Sequence, residues 1–129
     1  IAIIIVHKDR PEYLNICLNA YTRYFNRRYG RKGPLWQGRS KWFAVGKGEE
    51  FLNVTRYVHL NPVTAYLVEH PADWEYSSYW RYMGRSHDGL DLMVDTSCVD
   101  MTSCEYEKFV EDYKDAQRKV SKFKKLFLE

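Results

Sequence analysis

Cysteines are few and none pair locally. Cys17, Cys98 and Cys104 are an odd set with no C-x-x-C spacing. That argues against a disulfide scaffold and a cysteine-built zinc site, and for reduced thiols in a reducing compartment. Long apolar runs are also missing. The longest, Ile1 to Val6, falls far short of the ~20 residues a membrane span requires. Seven glycines and four prolines in 129 residues exclude a collagen-like chain, and there is no internal repeat. No secretory leader is recognisable, and the first residue is not Met, so the expectation is that the start of the chain is missing. What remains is an ordinary globular composition, long enough for a core without staples.

The most informative absence is local. Residues 13–48 contain no Asp or Glu, yet hold eight cations: Arg23, Arg27, Arg28, Arg31, Lys32, Arg39, Lys41 and Lys47. The rest of the chain carries twelve basic residues against seventeen acidic, a net of −5 beside a segment of +8. Tyr21, Tyr24, Phe25, Tyr29, Trp36, Trp42 and Phe43 are interleaved with those cations. Cations attract phosphates and aromatic faces stack on bases, a combination that suits single-stranded nucleic acid.

Along the chain, Ile1 to Val6 reads as a short buried strand. Asp9 and Pro11 suit a helix start, and Leu14, Leu18, Tyr21 and Phe25 recur at helical spacing, so a helix is expected from Pro11 to Tyr29, ended by Gly30. Arg31 to Ser40 reads as loop and Lys41 to Val45 as strand. A second helix is expected from Glu49 to Leu60, with Phe51, Val54, Thr55 and Val58 inward and Asn61-Pro62 ending or bending it. Trp74 to Tyr82 reads as a short aromatic helix. Glu105 to Leu126 reads as one charged helix with Tyr106, Phe109, Tyr113 and Val120 on its apolar side.

Four stretches carry a family resemblance: Tyr21-Thr-Arg-Tyr-Phe-Asn-Arg-Arg-Tyr-Gly30, Gly33-Pro-Leu-Trp-Gln-Gly-Arg39, Arg56-Tyr-Val-His-Leu-Asn-Pro-Val63 and Trp74-Glu-Tyr-Ser-Ser-Tyr79. In order and spacing they resemble the REP-associated tyrosine transposases, within the HUH-type single-strand transposases. The resemblance implies an α+β fold, a ferredoxin-like plait with an antiparallel sheet and helices on one side, plus a C-terminal helical extension. It divides the chain into a transposase-like domain over 1–84, N-terminally incomplete, and an acidic linker with a C-terminal helix over 85–129. It further implies cleavage and rejoining of single-stranded DNA through a 5′-phosphotyrosine, with Mg²⁺ or Mn²⁺ in the site. Single-stranded or hairpin DNA is the implied partner, with a second copy of the chain as a further one and no membrane. The implied location is the cytoplasm of a bacterial or archaeal cell, at the nucleoid.

On that resemblance Tyr57 stands at the nucleophile position. A phenol is a weak nucleophile near neutral pH, because its ordinary pKa is about 10, so a polarised phosphate or a base must assist it. Asn53, Tyr57 and Asn61 are four apart and share a helix face. Asn61 is either a third metal ligand or a cap before Pro62. His59 is two residues from Tyr57, points elsewhere and reads as structural. The family's paired metal-binding histidines should lie on the first strand, where Ile1 and Ile3 stand instead. His7 follows that strand alone and reads as a surface or capping residue. Arg23, Arg27, Arg28, Arg39 and Lys41 are the expected phosphate contacts, and Trp36 is either a base-stacking ring or a half-buried core residue. Two readings therefore compete: a strand-transferring enzyme using Tyr57, and an inactive nucleic-acid-binding relic without the histidine pair.

Overall fold

The computed structural model describes residues 12–38, 44–86 and 94–128, with side chains from residue 14 to residue 122 within those stretches. It resolves into two compact units, one within Ile5–Ala44 and one within Val45–Glu129.

The first unit is built on α1 (Glu12–Arg28). The helix stops where the sequence places its stop. Gly30 takes a left-handed conformation at φ 61°, and the Arg31 amide turns back to the Asn26 carbonyl at 2.9 Å, which satisfies a carbonyl the helix end would otherwise leave open. The following loop returns along α1. The Asn26 side-chain amide donates to the Gly33 carbonyl at 2.9 Å. The Trp36 indole N–H donates to Thr22 Oγ1 at 3.0 Å, and its ring lies 5.9 Å from that of Tyr21. The expected cap Asp9, with Pro11, lies outside the described residues.

The regular elements among the second unit's described residues are all helical: α2 (Glu49–Thr64), a 3-10 turn (Pro71–Asp73), α3 (Tyr79–Tyr82), α4 (Ser103–Glu111) and α5 (Lys114–Leu128). Its core gathers Leu60, Val63, Tyr79, Tyr106 and Val110, with Val68, Tyr82, Met83 and Phe109 packed around them. The buried residues of α2 are Phe51, Thr55, His59, Leu60 and Val63. That four-residue stride puts His59 in the core, while Val58 is only half-buried.

Three expectations are corrected. The ferredoxin-like plait with its antiparallel sheet is overturned: no strand occurs among the described residues. Every regular element among them is a helix, and the apolar positions of α2 and α4 recur every three or four residues, as expected for those two segments. The expected strands at 1–6 and 41–43 lie outside the described residues, and 44–45 are irregular. Second, α2 runs through Pro62 to Thr64. It closes with the Leu67 amide on the Pro62 carbonyl at 3.0 Å and the Tyr66 amide on the Val63 carbonyl at 3.1 Å, a Schellman closure with Tyr66 left-handed at φ 58°. Third, the C-terminal helix is two helices. The chain turns at Asp112 and Tyr113, and both α4 and α5 pack on α2.

The start of α4 carries a full capping box. Thr102 Oγ1 accepts from the Glu105 amide at 3.3 Å, and Glu105 Oε2 accepts from the Thr102 amide at 2.8 Å. Those bonds hold the Glu105 carboxyl below its ordinary pKa. At the far end of α2, Arg118 reaches the Val63 carbonyl at 3.4 Å and Glu69 Oε2 at 3.2 Å. A cation is favourable there, where helix carbonyls point outward.

Candidate nucleic-acid interface

Two surfaces hold the residues singled out from the sequence, one in each unit. In the second unit, α2 and α5 leave a cleft of about 420 Å³ between them. Asn53, Arg56, Tyr57, Asn61, Tyr113 and Gln117 are among its lining residues. The four-residue spacing of Asn53, Tyr57 and Asn61 therefore does place them on one surface. Tyr57 is 49% exposed at this cleft. Its backbone is tied to α5, because Gln117 Nε2 donates to the Tyr57 carbonyl at 3.2 Å.

Arg56 is the cleft's cation and is held by three partners. Its guanidinium carbon lies 3.8 Å from the Tyr113 ring centroid and 4.2 Å from that of Phe109, and Nη2 donates to Asn53 Oδ1 at 2.8 Å. Burial pulls its pKa below the ordinary arginine value. The planar guanidinium makes this arrangement possible, since it stacks on rings while keeping an edge free to donate.

His59 faces away from this cleft. It is 2% exposed. Nδ1 lies 2.8 Å from the Tyr106 hydroxyl, and Nε2 lies 2.9 Å from Ser78 Oγ. The rings of Tyr79, Tyr82 and Tyr106 meet it edge-on. Burial pushes its pKa down to about 4, so it is a neutral core residue that joins α2 to α3 and α4.

The donors beside Tyr57 do not fit a resident Mg²⁺ or Mn²⁺. They are the amides of Asn53, Asn61 and Gln117 and the hydroxyls of Thr64 and Ser121, with a cation in place of any carboxylate. Hard divalent ions are normally held by at least one carboxylate, and Mn²⁺ also by imidazole. Among the described residues, no three of His, Cys, Asp and Glu converge on a common point. Positions 1 and 3, where the family carries histidines, lie outside the described residues, as does His7.

In the first unit, Arg23, Arg27 and Arg28 are all exposed on α1. Arg23 and Arg27 are one helical turn apart and share a face. Tyr24, between them in sequence, is 61% exposed. Trp36 is half-buried, with its N–H committed to Thr22, so of its two roles the packed one is what the geometry displays. Arg39 and Lys41 lie outside the described residues.

Sequence reasoning singled out Tyr57 and Asn61 but passed over Arg56, Tyr113 and Gln117. Arg56 was signalled by its place beside Tyr57 in the same motif. Nothing local marks Gln117, since its role depends on α5 folding back across α2. No helix among the described residues is long and apolar enough to cross a membrane. The chain matches no family model, no curated protein and no solved structure.

Proposed function

We propose that this chain is a single-stranded-DNA-binding domain of transposase type, resembling the REP-associated tyrosine transposases. One observation carries the reading. The acid-free segment presents Arg23, Arg27 and Arg28 together on one exposed helix, with no ion pair to any of them among the described residues. Three such cations on a rigid element make a phosphate-binding row, and the binding is driven by counterion release. Hairpin DNA, with its exposed loop bases, is the expected form of ligand.

Tyr57 is the residue through which the ancestral strand cleavage would run. Its exposure at the cleft supports access to a phosphodiester. The neutral donors around it favour the binding role over metal-dependent cleavage by this chain. Arg56 is stacked and hydrogen-bonded inside the protein, so it shapes the cleft more than it reaches outward.

The test is competition. A labelled hairpin oligonucleotide is bound to the full chain at low salt and displaced by unlabelled single strand or by duplex of the same length. The reading expects single strand to compete at lower concentration than duplex, and the joint variant Arg23→Gln, Arg27→Gln, Arg28→Gln to lose most of the affinity. Wild-type affinity in that variant would refute it.

A further inference from the structure

We infer that Tyr24 is a stacking platform for a base of single-stranded nucleic acid, with Arg27 and Arg28 holding the flanking phosphates. This rests on the proposed nucleic-acid-binding role and names the aromatic that serves it. Trp36 is the ring the sequence offers for stacking, but it and Phe25 are both partly enclosed. Trp36 lies against α1 with its indole N–H bonded to Thr22. Phe25 packs against Tyr29 at 4.5 Å and lies under Arg31 at 5.7 Å.

Tyr24 differs. Among the described residues its only ring neighbour is Tyr21, at 6.4 Å, and more than half of its surface is open. Tyr21 is itself backed by Phe25 and Trp36 at 6.0 and 5.9 Å. Tyr24 is thus one exposed end of a buttressed aromatic row; Tyr29, at the other end, is also exposed but has its ring packed on Phe25 at 4.5 Å. Arg27 and Arg28 follow it by three and four residues, so they are its neighbours on the helix surface. A ring fixed on a helix with cations on its flank offers one base face and the adjoining phosphates together.

An acidic partner would use the arginines but would leave an open ring unexplained. An anionic lipid surface would use both, but needs an unpartnered apolar stripe. On α1 the returning loop lays Trp36 against the Tyr21 ring and bonds its indole N–H to the Leu18 carbonyl, while Phe25 packs between Tyr21 and Tyr29. Stacking on nucleic acid accounts for the rings and the charge at once.

The experiment uses the full chain at low salt, with fluorescence anisotropy of a labelled thymidine oligonucleotide and of the same oligonucleotide carrying abasic positions. Tyr24→Ala is expected to weaken binding of the normal strand by about ten-fold, Tyr24→Trp to restore it, and both to leave the salt slope unchanged. On the abasic strand, wild type and Tyr24→Ala are expected to bind alike. Arg27→Ala is expected to lower the salt slope instead. Circular dichroism checks the fold, since alanine at an exposed helix position favours helix. If Tyr24→Ala binds as wild type while Arg27→Ala weakens binding, the stacking role is wrong and the phosphate row stands. If no strand binds, both are wrong. Tighter binding to anionic phospholipid vesicles than to the oligonucleotide overturns the inference in favour of a membrane surface.

Discussion

His59 and Tyr106 lie 2.8 Å apart, Nδ1 to hydroxyl, across the contact between α2 and α4. With Ser78 on the other ring nitrogen, the imidazole is fully partnered without a charge. Its pKa near 4 follows from burial. In the unfolded chain the group titrates near its ordinary 6.5. Between those values the unfolded chain binds a proton that the folded one refuses, so stability falls as pH drops below about 6.5 and levels off only below pH 4. The full loss is about 3 kcal/mol. Urea unfolding at a series of pH values checks this. The slope over that window is expected to flatten in His59→Gln relative to wild type. An unchanged slope would remove His59 as its source.

Arg56 bridges α2 to the rings of α4 and the α4–α5 turn. Lysine keeps the charge but has no plane to stack and no fork to reach Asn53. Arg56→Lys is expected to cost about 1 kcal/mol and Arg56→Ala somewhat more. Equilibrium denaturation of both variants measures the difference. Equal stability of wild type and Arg56→Lys would show that charge alone matters there.

The capping box at Thr102 and Glu105 starts α4, the helix that supplies Tyr106 and Val110 to the core. Thr102→Ala is expected to destabilise the protein by about 1 kcal/mol, and Thr102→Ser to cost far less. Thermal melts of the two variants decide it.

Covalent chemistry at Tyr57 is expected to be absent or marginal in this chain. Incubation with a hairpin strand and Mn²⁺, followed by a denaturing gel, is expected to show no robust protein–DNA adduct. An adduct gained on Ile1→His with Ile3→His, and lost again on Tyr57→Phe, would support a metal site lost by substitution. A strong adduct in wild type, abolished by Tyr57→Phe, would mean that other ligands complete the site.

The second unit was legible in part. The spacing of Asn53, Tyr57 and Asn61 correctly put three side chains on one surface, and the offset of His59 correctly turned it away. Gly30 marked the end of α1 because only glycine takes φ 61° without steric cost. Asn61-Pro62 reads as an end or a bend; α2 runs on to Thr64 and closes where Tyr66 takes the left-handed position. The Asp112–Tyr113 turn carries no glycine or proline, so nothing local announced it. Thr102-Ser-Cys-Glu105 was readable as a helix start and was passed over. The sheet was expected from the family resemblance together with two strand-like runs, 1–6 and 41–45, of which only 44–45 are described, and those are irregular.

In the proposed function, exposed arginines on α1 bind the phosphates of single-stranded DNA. Its most direct test is the salt dependence of hairpin-oligonucleotide affinity for wild type and for the joint variant Arg23→Gln, Arg27→Gln, Arg28→Gln. With each single-strand phosphate contact contributing about −0.7 to the slope of log affinity against log salt, three arginines predict a slope steeper in wild type by roughly 2. Equal slopes in the two proteins, or no binding by wild type at low salt, would contradict the account.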